Sequence, residues 1–597
     1  MSLMRARHLA ILLAAATAPS QVAAQTGVRL NAFGNPERLK PAPTSSAISV
    51  RDLQIRLYQF ADDSMHGRQV GRVGNMRGTE YIAAELKKLG LQPAGDNGTF
   101  FQVLPYHVRH FTDHSRLSVN GNPLAWTKDW VAVPGPRAPR PINGVDVIFG
   151  GVAGDTNKQV SAAQAAGRFV VLLAAPRPTE APSGRPGFGP PPATRFASAV
   201  AVATVDLDPL TPVQRAAINQ PSVATQSAAG RGGRGPQPTA PVDSFTLLKQ
   251  QLDQLAPQAV VRLTKAAAAQ LFGGQNVEAL SLGTTGGTVN ASLDYVELPS
   301  QWARNVVAII PGSDAALKHQ YVAIGAHNDH VGFNTPVDKD SLKAFNNARN
   351  ALLLASNMIA LKPEQLAVIR VNMDSIRKRF PVPRLDSINN GADDDGSGSM
   401  AVLEIAEAVQ AMQVKPKRSV LFVWHTGEEA GLVGSAFFTR NPTIPMDSVV
   451  AQINIDMIGR GREGDLPGGS SSYLGVVGSF FDSKDLGETV AGVNKREKNP
   501  LDLDYKYDST LTWSGYNNIY GRSDHFNYAV QGVPIAFFFT GLHGDYHQRT
   551  DEAEWIDYPH YARITSYVNE IVKEVANGPR PRINGTRPAK PQRVVVP

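Results

Sequence analysis

Five short segments of this 597-residue chain carry residues that could bind a metal ion. Between them they supply two imidazoles and several carboxylates from distant positions in the sequence. The chain contains no Cys, so thiolates are excluded and the strong ligands must be nitrogen and oxygen. Such a donor set suits a hard or borderline divalent cation. The segments are HND at 327–329, GADDDGSG at 391–398, EE at 428–429, Asp456, and DYH at 545–547.

Each segment has an ordinary explanation when it is taken alone. A His at a strand end is usually a hydrogen-bonded polar residue, and an Asp-rich turn before a helix is usually an N-cap. The pair Glu428-Glu429 is harder to explain, because it follows the apolar stretch SVLFVW. Burial of adjacent carboxylates is costly unless a cation compensates them. The coincidence of five segments therefore favours a metal site over five separate structural roles.

Four of the segments lie at or soon after the ends of predicted strands, namely YVAIGA, SVLFVWHTG, VAQINI and PIAFFFTG. From residue 304 onward such apolar stretches alternate with helical patterns. In one of these, over residues 398–412, Val402, Ile405, Val409 and Met412 recur at helical spacing. This alternation predicts an α/β domain with a mixed, mostly parallel central sheet flanked by helices. Open sheets of this kind bind ligands outside the carboxyl ends of their strands.

The chain before residue 304 has a different character. Residues 77–90, RGTEYIAAELKKLG, predict an amphipathic helix. Between residues 119 and 292, short strand candidates are separated by two Pro/Gly-rich stretches, PRPTEAPSGRPGFGPPPATR and AAGRGGRGPQPTAPVD, which we interpret as loops. Residues 335–387 are mostly helix-like and lengthen the connection between the first two metal-binding segments.

The runs GAHNDH, NNGADDDGSGS, HTGEEAGLVGS, NIDMIGR and DYHQRTDE occur in this order along the chain. Together they resemble the motif set of the co-catalytic zinc aminopeptidases, a family whose relatives include bacterial leucyl aminopeptidases and glutamate carboxypeptidases. The resemblance covers residues 304–577 strongly and residues 50–110 more loosely.

The resemblance implies a site with two zinc ions. It assigns His327 and Asp456 to one ion, Glu429 and His547 to the other, and Asp394 as the carboxylate that bridges both. From the residues alone, Asp394 is one choice among three adjacent Asp residues. Other divalent ions, such as Co²⁺ and Mn²⁺, also suit a site made only of nitrogen and oxygen ligands.

The resemblance also assigns two catalytic roles. Glu428 is the expected general base, which takes a proton from the attacking water and returns one to the leaving amine. Asp329 is expected to accept the second N–H of His327 and so to fix its orientation. In the family the peptide bond after the bridging Asp is often cis, which in this chain is the bond from Asp394 to Asp395.

The sequence divides into regions of distinct expected character. The segment 119–292 occupies the place of a protease-associated domain in the relatives that the chain resembles, and we expect it to be a smaller β-rich domain inserted into the peptidase. The expected regions are a signal peptide at 1–24, the N-terminal part of the peptidase domain at 25–118, the inserted domain at 119–292, the catalytic domain at 293–577 with an extra helical insertion at 335–387, and a disordered basic tail at 578–597.

Charge and composition narrow the classes of partner. The formal net charge is +7, but the predicted signal contributes Arg5 and Arg7 and the residues after Asn577 contribute five further cations, so the remaining chain is formally neutral. Broad electrostatic binding of nucleic acid therefore has no support. Past the N-terminus no apolar run is long enough to span a bilayer. The basic start, the apolar stretch and the small residues at Val22-Ala23-Ala24 predict a cleaved export signal and a periplasmic or secreted protein.

Several functions remain compatible with the sequence. An aminopeptidase acting on peptides is the leading one, although the preference for a free amino terminus comes only from family frequency. A carboxypeptidase of the same family, a glutaminyl cyclase and a non-catalytic binding module are the alternatives. The oligomeric state is not determined. Four further histidines are expected to lie outside the ligand set, namely His330, His425, His525 and His543. The run RSDH at 522–525 is expected to line the substrate pocket.

Overall fold

The computed structural model describes a large part of the chain, namely residues 30–31, 33–135, 138–174, 196–210, 215, 218, 222–225, 256–356, 361, 363–508 and 519–585. The predicted signal peptide and both Pro/Gly-rich stretches lie outside the described residues.

The strands in chain order are β1 Gln92–Pro93, β2 Phe101–Val103, β3 Tyr106–Phe111, β4 Arg116–Val119, β5 Asn122–Leu124, β6 Trp130–Val133, β7 Ile142–Val152, β8 Phe169–Leu173, β9 Ala201–Val205, β10 Ser222–Thr225, β11 Ala259–Leu263, β12 Thr285–Ser292, β13 Tyr295–Ser300, β14 Arg304–Ile310, β15 Tyr321–His327, β16 Gly332–Asp338, β17 Leu385–Asn389, β18 Ser419–His425, β19 Val449–Ile455, β20 Tyr473–Val477, β21 Asp502–Asp504 and β22 Ile535–Phe539. The helices are α1 Val50–Phe60, α2 Val73–Leu89, α3 Ala162–Ala165, α4 Lys265–Leu271, α5 Lys339–Ser356, α6 Pro363–Leu366, α7 Met373–Arg379, α8 Gly398–Ala411, α9 Val433–Arg440, α10 Ser479–Asp482, α11 Lys484–Arg496, α12 His525–Val530 and α13 Tyr558–Asn577.

A nine-stranded sheet forms the centre of the larger domain, in the order β1-β14-β18-β15-β19-β22-β20-β21 with β2 also paired to β14. The four central strands β18, β15, β19 and β22 run parallel, so their carboxyl ends meet at one edge. Antiparallel pairs occur on both sides, between β14 and β18 and between β20 and β22. The α/β class with a mixed sheet is therefore confirmed, and its parallel part lies at the centre.

Burial on both faces explains why the central strands are continuous apolar runs. Every residue of β18 and of β19 is buried. The predicted helix at 398–412 is α8, whose Val402, Ile405 and Val409 are fully buried. The predicted helix at 77–90 is α2, which starts four residues earlier and ends at Gly90, a left-handed cap with φ of 75°.

A second sheet, of eight strands, is formed by residues 116–292 in the order β5-β4-β12-β7-β8-β9-β11-β6. It has its own apolar core, which includes Trp130, Phe169 and Val261. The expected boundary at 118/119 falls inside β4, so this sheet begins at Arg116. Strands β10, β3 and β13 form a separate three-stranded sheet in that order, with both pairs antiparallel.

The connection at 335–387 contains helices, as predicted, but it also contains two strands. Strands β16 and β17 pair antiparallel at its two ends and hold α5, α6 and α7 between them. The helices therefore leave from and return to one point near the metal-binding segments.

The expected disorder of the basic tail is wrong for its first part. Residues 578–585 lie on α10 and α11, where Arg582 forms an ion pair with Asp485 at 2.9 Å and the Asn584 amide donates to the Phe480 carbonyl at 2.8 Å. Residues 586–597 lie outside the described residues. Among the helices that the structure describes, none has the length and apolar character needed to cross a membrane.

Candidate metal centre

The carboxyl ends of the parallel strands bring the predicted segments together. His327 is the last residue of β15, and Asp456 directly follows β19. Glu428 and Glu429 lie in the turn after β18, and His547 lies in the loop after β22. Parallel strand direction therefore accounts for the convergence of residues that are far apart in sequence.

The two carboxylate oxygens of Asp394 face two different groups of donor atoms. On one side His327 Nε2 lies 3.1 Å from Asp394 Oδ1 and 3.7 Å from Asp456 Oδ1. On the other side His547 Nε2 lies 3.0 Å from Asp394 Oδ2 and 3.0 Å from Glu429 Oε1. Within each group the donor atoms all lie within 4.8 Å of one another. Asp394 thus occupies the position that a bridging carboxylate requires.

His330 belongs to the second group, in contrast to the prediction that it lies outside the ligand set. Its Nδ1 lies 2.9 Å from Glu429 Oε1 and 3.8 Å from Asp394 Oδ2, and its side chain is fully buried. Its ring packs edge to face with that of His547. The signal that could have revealed it is its position three residues after His327, where the chain turns back over the site.

The electrostatics and the unpaired atoms of the two groups fit a divalent cation. Burial alone would raise the pKa of Glu429, but the nearby His547 lowers it to about 2. Burial would lower the pKa of His547, but Glu429 and Asp394 raise it to about 10. The centre thus stabilises positive charge among buried carboxylates, and imidazole and carboxylate donors are those that zinc takes. Among the described residues, Asp394 Oδ2, Glu429 Oε1, His330 Nδ1 and His547 Nε2 form no hydrogen bond, although they lie 2.9 to 3.8 Å from one another.

Glu428 belongs to neither donor group and lines the cleft beside them. Its backbone N–H donates to Asp329 Oδ1 at 3.1 Å, which fixes the turn that carries both glutamates. Burial raises the pKa of its carboxyl well above the usual value, and Glu429 and Asp456 add to this effect against the opposing influence of His327.

His327 Nδ1 lies nearest to the main chain of Asp329 and not to the Asp329 carboxylate that was expected to accept its N–H. This nitrogen lies 3.1 Å from the main-chain oxygen of Asp329 and 3.7 Å from its carboxylate oxygen. The Asp329 carboxylate instead accepts the N–H of Glu428. Asp329 therefore connects the His327 strand end to the turn of the two glutamates.

The turn that carries Asp394 is held by neighbouring carboxylates. Asp551 accepts the backbone N–H groups of Asp393 at 3.0 Å and Asp394 at 3.1 Å. Asp395 accepts the backbone N–H of His327 at 3.0 Å. The peptide bond between Asp394 and Asp395 is cis, as the family resemblance led us to expect.

Three other histidines lie outside both donor groups, as expected. Burial lowers the pKa of His425 and of His525 to about 3, so both are neutral. His425 Nε2 lies 3.0 Å from the Tyr528 hydroxyl, and His525 Nε2 lies 2.7 Å from a main-chain oxygen. His543 Nε2 lies 3.2 Å from the carboxylate of Asp393.

A cleft next to the two groups is lined on one side by Asp394, Glu428 and Asp456. Its other walls are mostly apolar and come from Met457, Ile519, Phe537, Phe539, Leu542 and Tyr546, with Arg522 as a cation among them. The run RSDH at 522–525 thus contributes Arg522 to this pocket.

The next residue of that run, Ser523, contacts a metal-ligand candidate. Its hydroxyl donates to Asp456 Oδ2 at 2.7 Å and accepts from the Asn454 amide at 2.9 Å. The orientation of Asp456 is therefore fixed from outside the donor group.

The fold is α/β, and a candidate metal centre of nitrogen and oxygen donors lies at the carboxyl edge of its central sheet. The family model described as Peptidase family M28 matches residues 305–572, which contain all the residues of both donor groups. This part of the chain is therefore similar to that family, and the predicted resemblance to the co-catalytic zinc aminopeptidases is confirmed for it. The match begins after the second sheet, so the protease-associated identity of that sheet stays a prediction.

Similar curated proteins match only part of their own length. Leupeptin-inactivating enzyme 1 of Streptomyces exfoliatus is 30% identical over 173 residues, which cover 28% of this chain and 34% of that protein. A probable leucine aminopeptidase of Arthroderma otae is 36% identical over 187 residues, which cover 31% of this chain and 45% of that protein. The chain thus spans about a third to a half of the length of these relatives.

Solved structures with a similar course of the chain include a zinc aminopeptidase from Bacillus subtilis. It is 15% identical, with a TM-score of 0.45, and the match covers 92% of this chain and 98% of that one. An aminopeptidase from Aneurinibacillus sp. strain AM-1 is 16% identical, with a TM-score of 0.42, and the match covers 90% of this chain and 97% of that one.

Proposed function

We propose that this protein is a zinc-dependent aminopeptidase that releases N-terminal residues from peptides. The observation that carries the proposal is the position of Asp394, whose two oxygens face two separate groups of imidazole and carboxylate donors. The match of residues 305–572 to a peptidase family model and the relatives that are named leucine aminopeptidases support the reaction class.

Two zinc ions would be held around Asp394. His327 and Asp456 would bind one ion, and Glu429 and His547 the other, with His330 as a further donor near the second ion. When bound, such a pair of ions lowers the pKa of a water molecule and stabilises the negative charge that develops on a scissile carbonyl oxygen.

Glu428 would act as the general base and then as the general acid. Its half-buried carboxyl lines the cleft without belonging to either donor group, so it is available to the water and to the substrate. A raised pKa favours both steps, because the carboxyl can take the proton of the water and then deliver it to the leaving amine. Asp329 holds the Glu428 main chain and so orients this carboxyl.

The apolar walls of the cleft favour substrates with an apolar N-terminal side chain. Ile519, Phe537, Phe539 and Leu542 supply these walls beside Glu428. Removal of such a side chain from water contributes about 1.5 to 3 kcal/mol to binding.

A carboxypeptidase of the same family is the second candidate. Arg522 lines the same cleft, and a guanidinium is the group best suited to a substrate carboxylate. Cyclisation of N-terminal glutamine is less well supported, because both groups around Asp394 keep their imidazole and carboxylate donors.

Two further proposals concern the regions around the catalytic domain. We propose that residues 116–292 are a protease-associated domain, which their separate eight-stranded sheet and core support. We also propose export to the periplasm or beyond the cell, which rests on the pattern of residues 1–24.

The deciding experiment is a release assay on purified protein with zinc restored. Leucyl anilide, N-blocked peptides and C-terminally blocked peptides are compared as substrates. We expect cleavage of the anilide and of C-blocked peptides, and none of N-blocked peptides. Cleavage that tolerates a blocked N-terminus but requires a free C-terminus would establish the carboxypeptidase instead.

A further inference from the structure

Helix α5, in the connection predicted as an extra insertion, directs one polar face at two loops, one of which carries His547. Lys343, Asn346, Arg349 and Asn350 are spaced three or four residues apart or adjacent, so they lie on one side of the helix. Each of the four donates to a residue in one of two loops at the carboxyl edge of the central sheet. The insertion is therefore docked by specific contacts.

The first of these loops carries His547. Asn346 Nδ2 donates to Thr550 Oγ1 at 3.0 Å, and Thr550 Oγ1 donates to Asp545 Oδ1 at 2.7 Å. Lys343 Nζ forms an ion pair with Asp545 Oδ2. Asp545 and Thr550 lie before and after His547, so α5 contacts the turn that carries this imidazole on both sides of it.

The second loop follows β19 and is joined to the first. Asn350 Nδ2 donates to the main-chain oxygen of Asp465 at 3.1 Å. Arg460 contacts the Asp465 carboxylate at 2.6 Å and that of Asp545 at 3.2 Å. One connected network thus links α5 to the loops that follow β19 and β22.

The network is balanced in charge and largely buried. Lys343 and Arg460 face Asp545 and Asp465, and their side chains are between 2% and 12% exposed. Loss of Lys343 would leave two buried carboxylates with one guanidinium, and such an imbalance disturbs the geometry of the loops that hold them.

The backbone of His547 needs support of this kind. Its φ is 58°, in the left-handed region that residues with a side chain seldom adopt. The turn from 545 to 550 holds this conformation through the contact between Asp545 and Thr550, which α5 reinforces from outside.

We propose that Lys343 and Asn346 are positioning residues for the His547 imidazole, so that the insertion sets the metal affinity of one half of the centre. The inference rests on the proposed metal function of that centre. It gives the connection at 335–387 a role in the assembly of the site. Outer partners of metal ligands typically change metal affinity by about 10- to 100-fold when they are removed.

The test compares Asn346→Ala with Asn347→Ala in the full chain. Asn347 is the next residue on α5 and is exposed, so it is a matched control for residue type and helix propensity. Co²⁺ is titrated into metal-free protein and followed by visible absorption, and zinc binding is measured by competition with a chromophoric chelator.

We expect Asn346→Ala to weaken one of two metal equivalents by about 10- to 100-fold and to leave the other unchanged. Asn347→Ala should bind both equivalents as the unaltered protein does. Identical binding by the two variants would overturn the inference. Equal weakening of both equivalents would also overturn it, because general loosening of the fold gives that result.

Lys343 supplies an independent pair of variants. Lys343→Arg keeps the cation and should retain both equivalents, whereas Lys343→Met should weaken the same single equivalent as Asn346→Ala. Lys378→Met, at an exposed position of α7, is the control. Failure of the arginine variant to rescue binding would contradict a role through charge. An unaltered protein that takes up no metal would overturn the proposed function itself, and this inference with it.

Discussion

Replacement of Glu428 by Gln tests the division of roles between two adjacent carboxylates. Gln has the volume of Glu and keeps the backbone N–H that donates to Asp329, so the turn after β18 should remain in place. It cannot take a proton from water. The change therefore removes the proposed base and leaves both donor groups complete.

The size of the effect follows from the position of Glu428 in the cleft. Its half-buried carboxyl has no place in either donor group, so the loss is confined to proton transfer. A positioned general base contributes about 10²- to 10⁴-fold to a rate, which corresponds to about 3 to 5 kcal/mol in the activation barrier. We expect kcat to fall by this factor and the metal content to stay at two equivalents.

The assay combines initial rates on leucyl anilide with metal analysis of the same preparations. Glu429→Gln is the matched comparison, because it changes the same functional group one residue away. Glu429 Oε1 lies 3.0 Å from His547 Nε2 and 2.9 Å from His330 Nδ1, so this variant should lose one metal equivalent as well as activity. Loss of a metal equivalent in Glu428→Gln, or full retention in Glu429→Gln, would refute the assignment.

Four further results are expected. His330→Ala should weaken one metal equivalent by about tenfold or more in a chelator competition, because it removes a donor 2.9 Å from Glu429 Oε1, and unchanged affinity would show that His330 only packs there. Leu542→Ala should reduce the preference for leucyl over alanyl anilide by about 10-fold, measured as the ratio of kcat/KM values, since it shortens a wall of the cleft. Removal of metal by a chelator should lower the melting temperature by several degrees, with recovery on zinc addition, because the metal binds the folded chain and not the unfolded one. Burial raises the pKa of Asp465, but Arg460 outweighs burial and lowers this pKa from 3.8 to about 2. The ionised carboxyl therefore stabilises the fold above about pH 4, and about 2 kcal/mol of this stability is lost as the pH falls to 2. Asp465→Asn should abolish this loss in acid unfolding curves.

The central sheet could be predicted from sequence because its strands are short, apolar and buried on both faces. The strand ends at His327 and Asp456 were visible as breaks in such runs. Parallel direction then predicted that they would meet. The two groups around Asp394 follow the partition that the family motifs imply, with His330 added to the second group.

Residues that reach the site by a turn of the chain could not be placed in this way. His330 lies beyond the end of β15, and its approach to Glu429 depends on a close fold of the backbone that no periodicity records. The carbonyl of Asp329, rather than its carboxylate, lies nearest to His327 for the same reason. Side-chain type indicates which chemistry is available, whereas turn geometry decides which atom supplies it.

The structure of the insertion at 335–387 could be predicted from the sequence only in part. Its helical pattern was evident, but the pairing of β16 with β17 joins segments that are about fifty residues apart and carry no strong alternation. The docking of α5 through Lys343 and Asn346 depends on partners in a distant loop. Polar residues on a helix are usually solvated, so their burial became apparent only in three dimensions.

The proposed mechanism requires two metal ions, one on either side of Asp394. Anomalous diffraction at the zinc absorption edge, from crystals of protein purified without chelator, tests it most directly. We expect two peaks about 3.5 to 4 Å apart. One peak should lie among His327, Asp394 and Asp456, and the other among Asp394, Glu429, His547 and His330. A single peak, or peaks at any other residues, would contradict it.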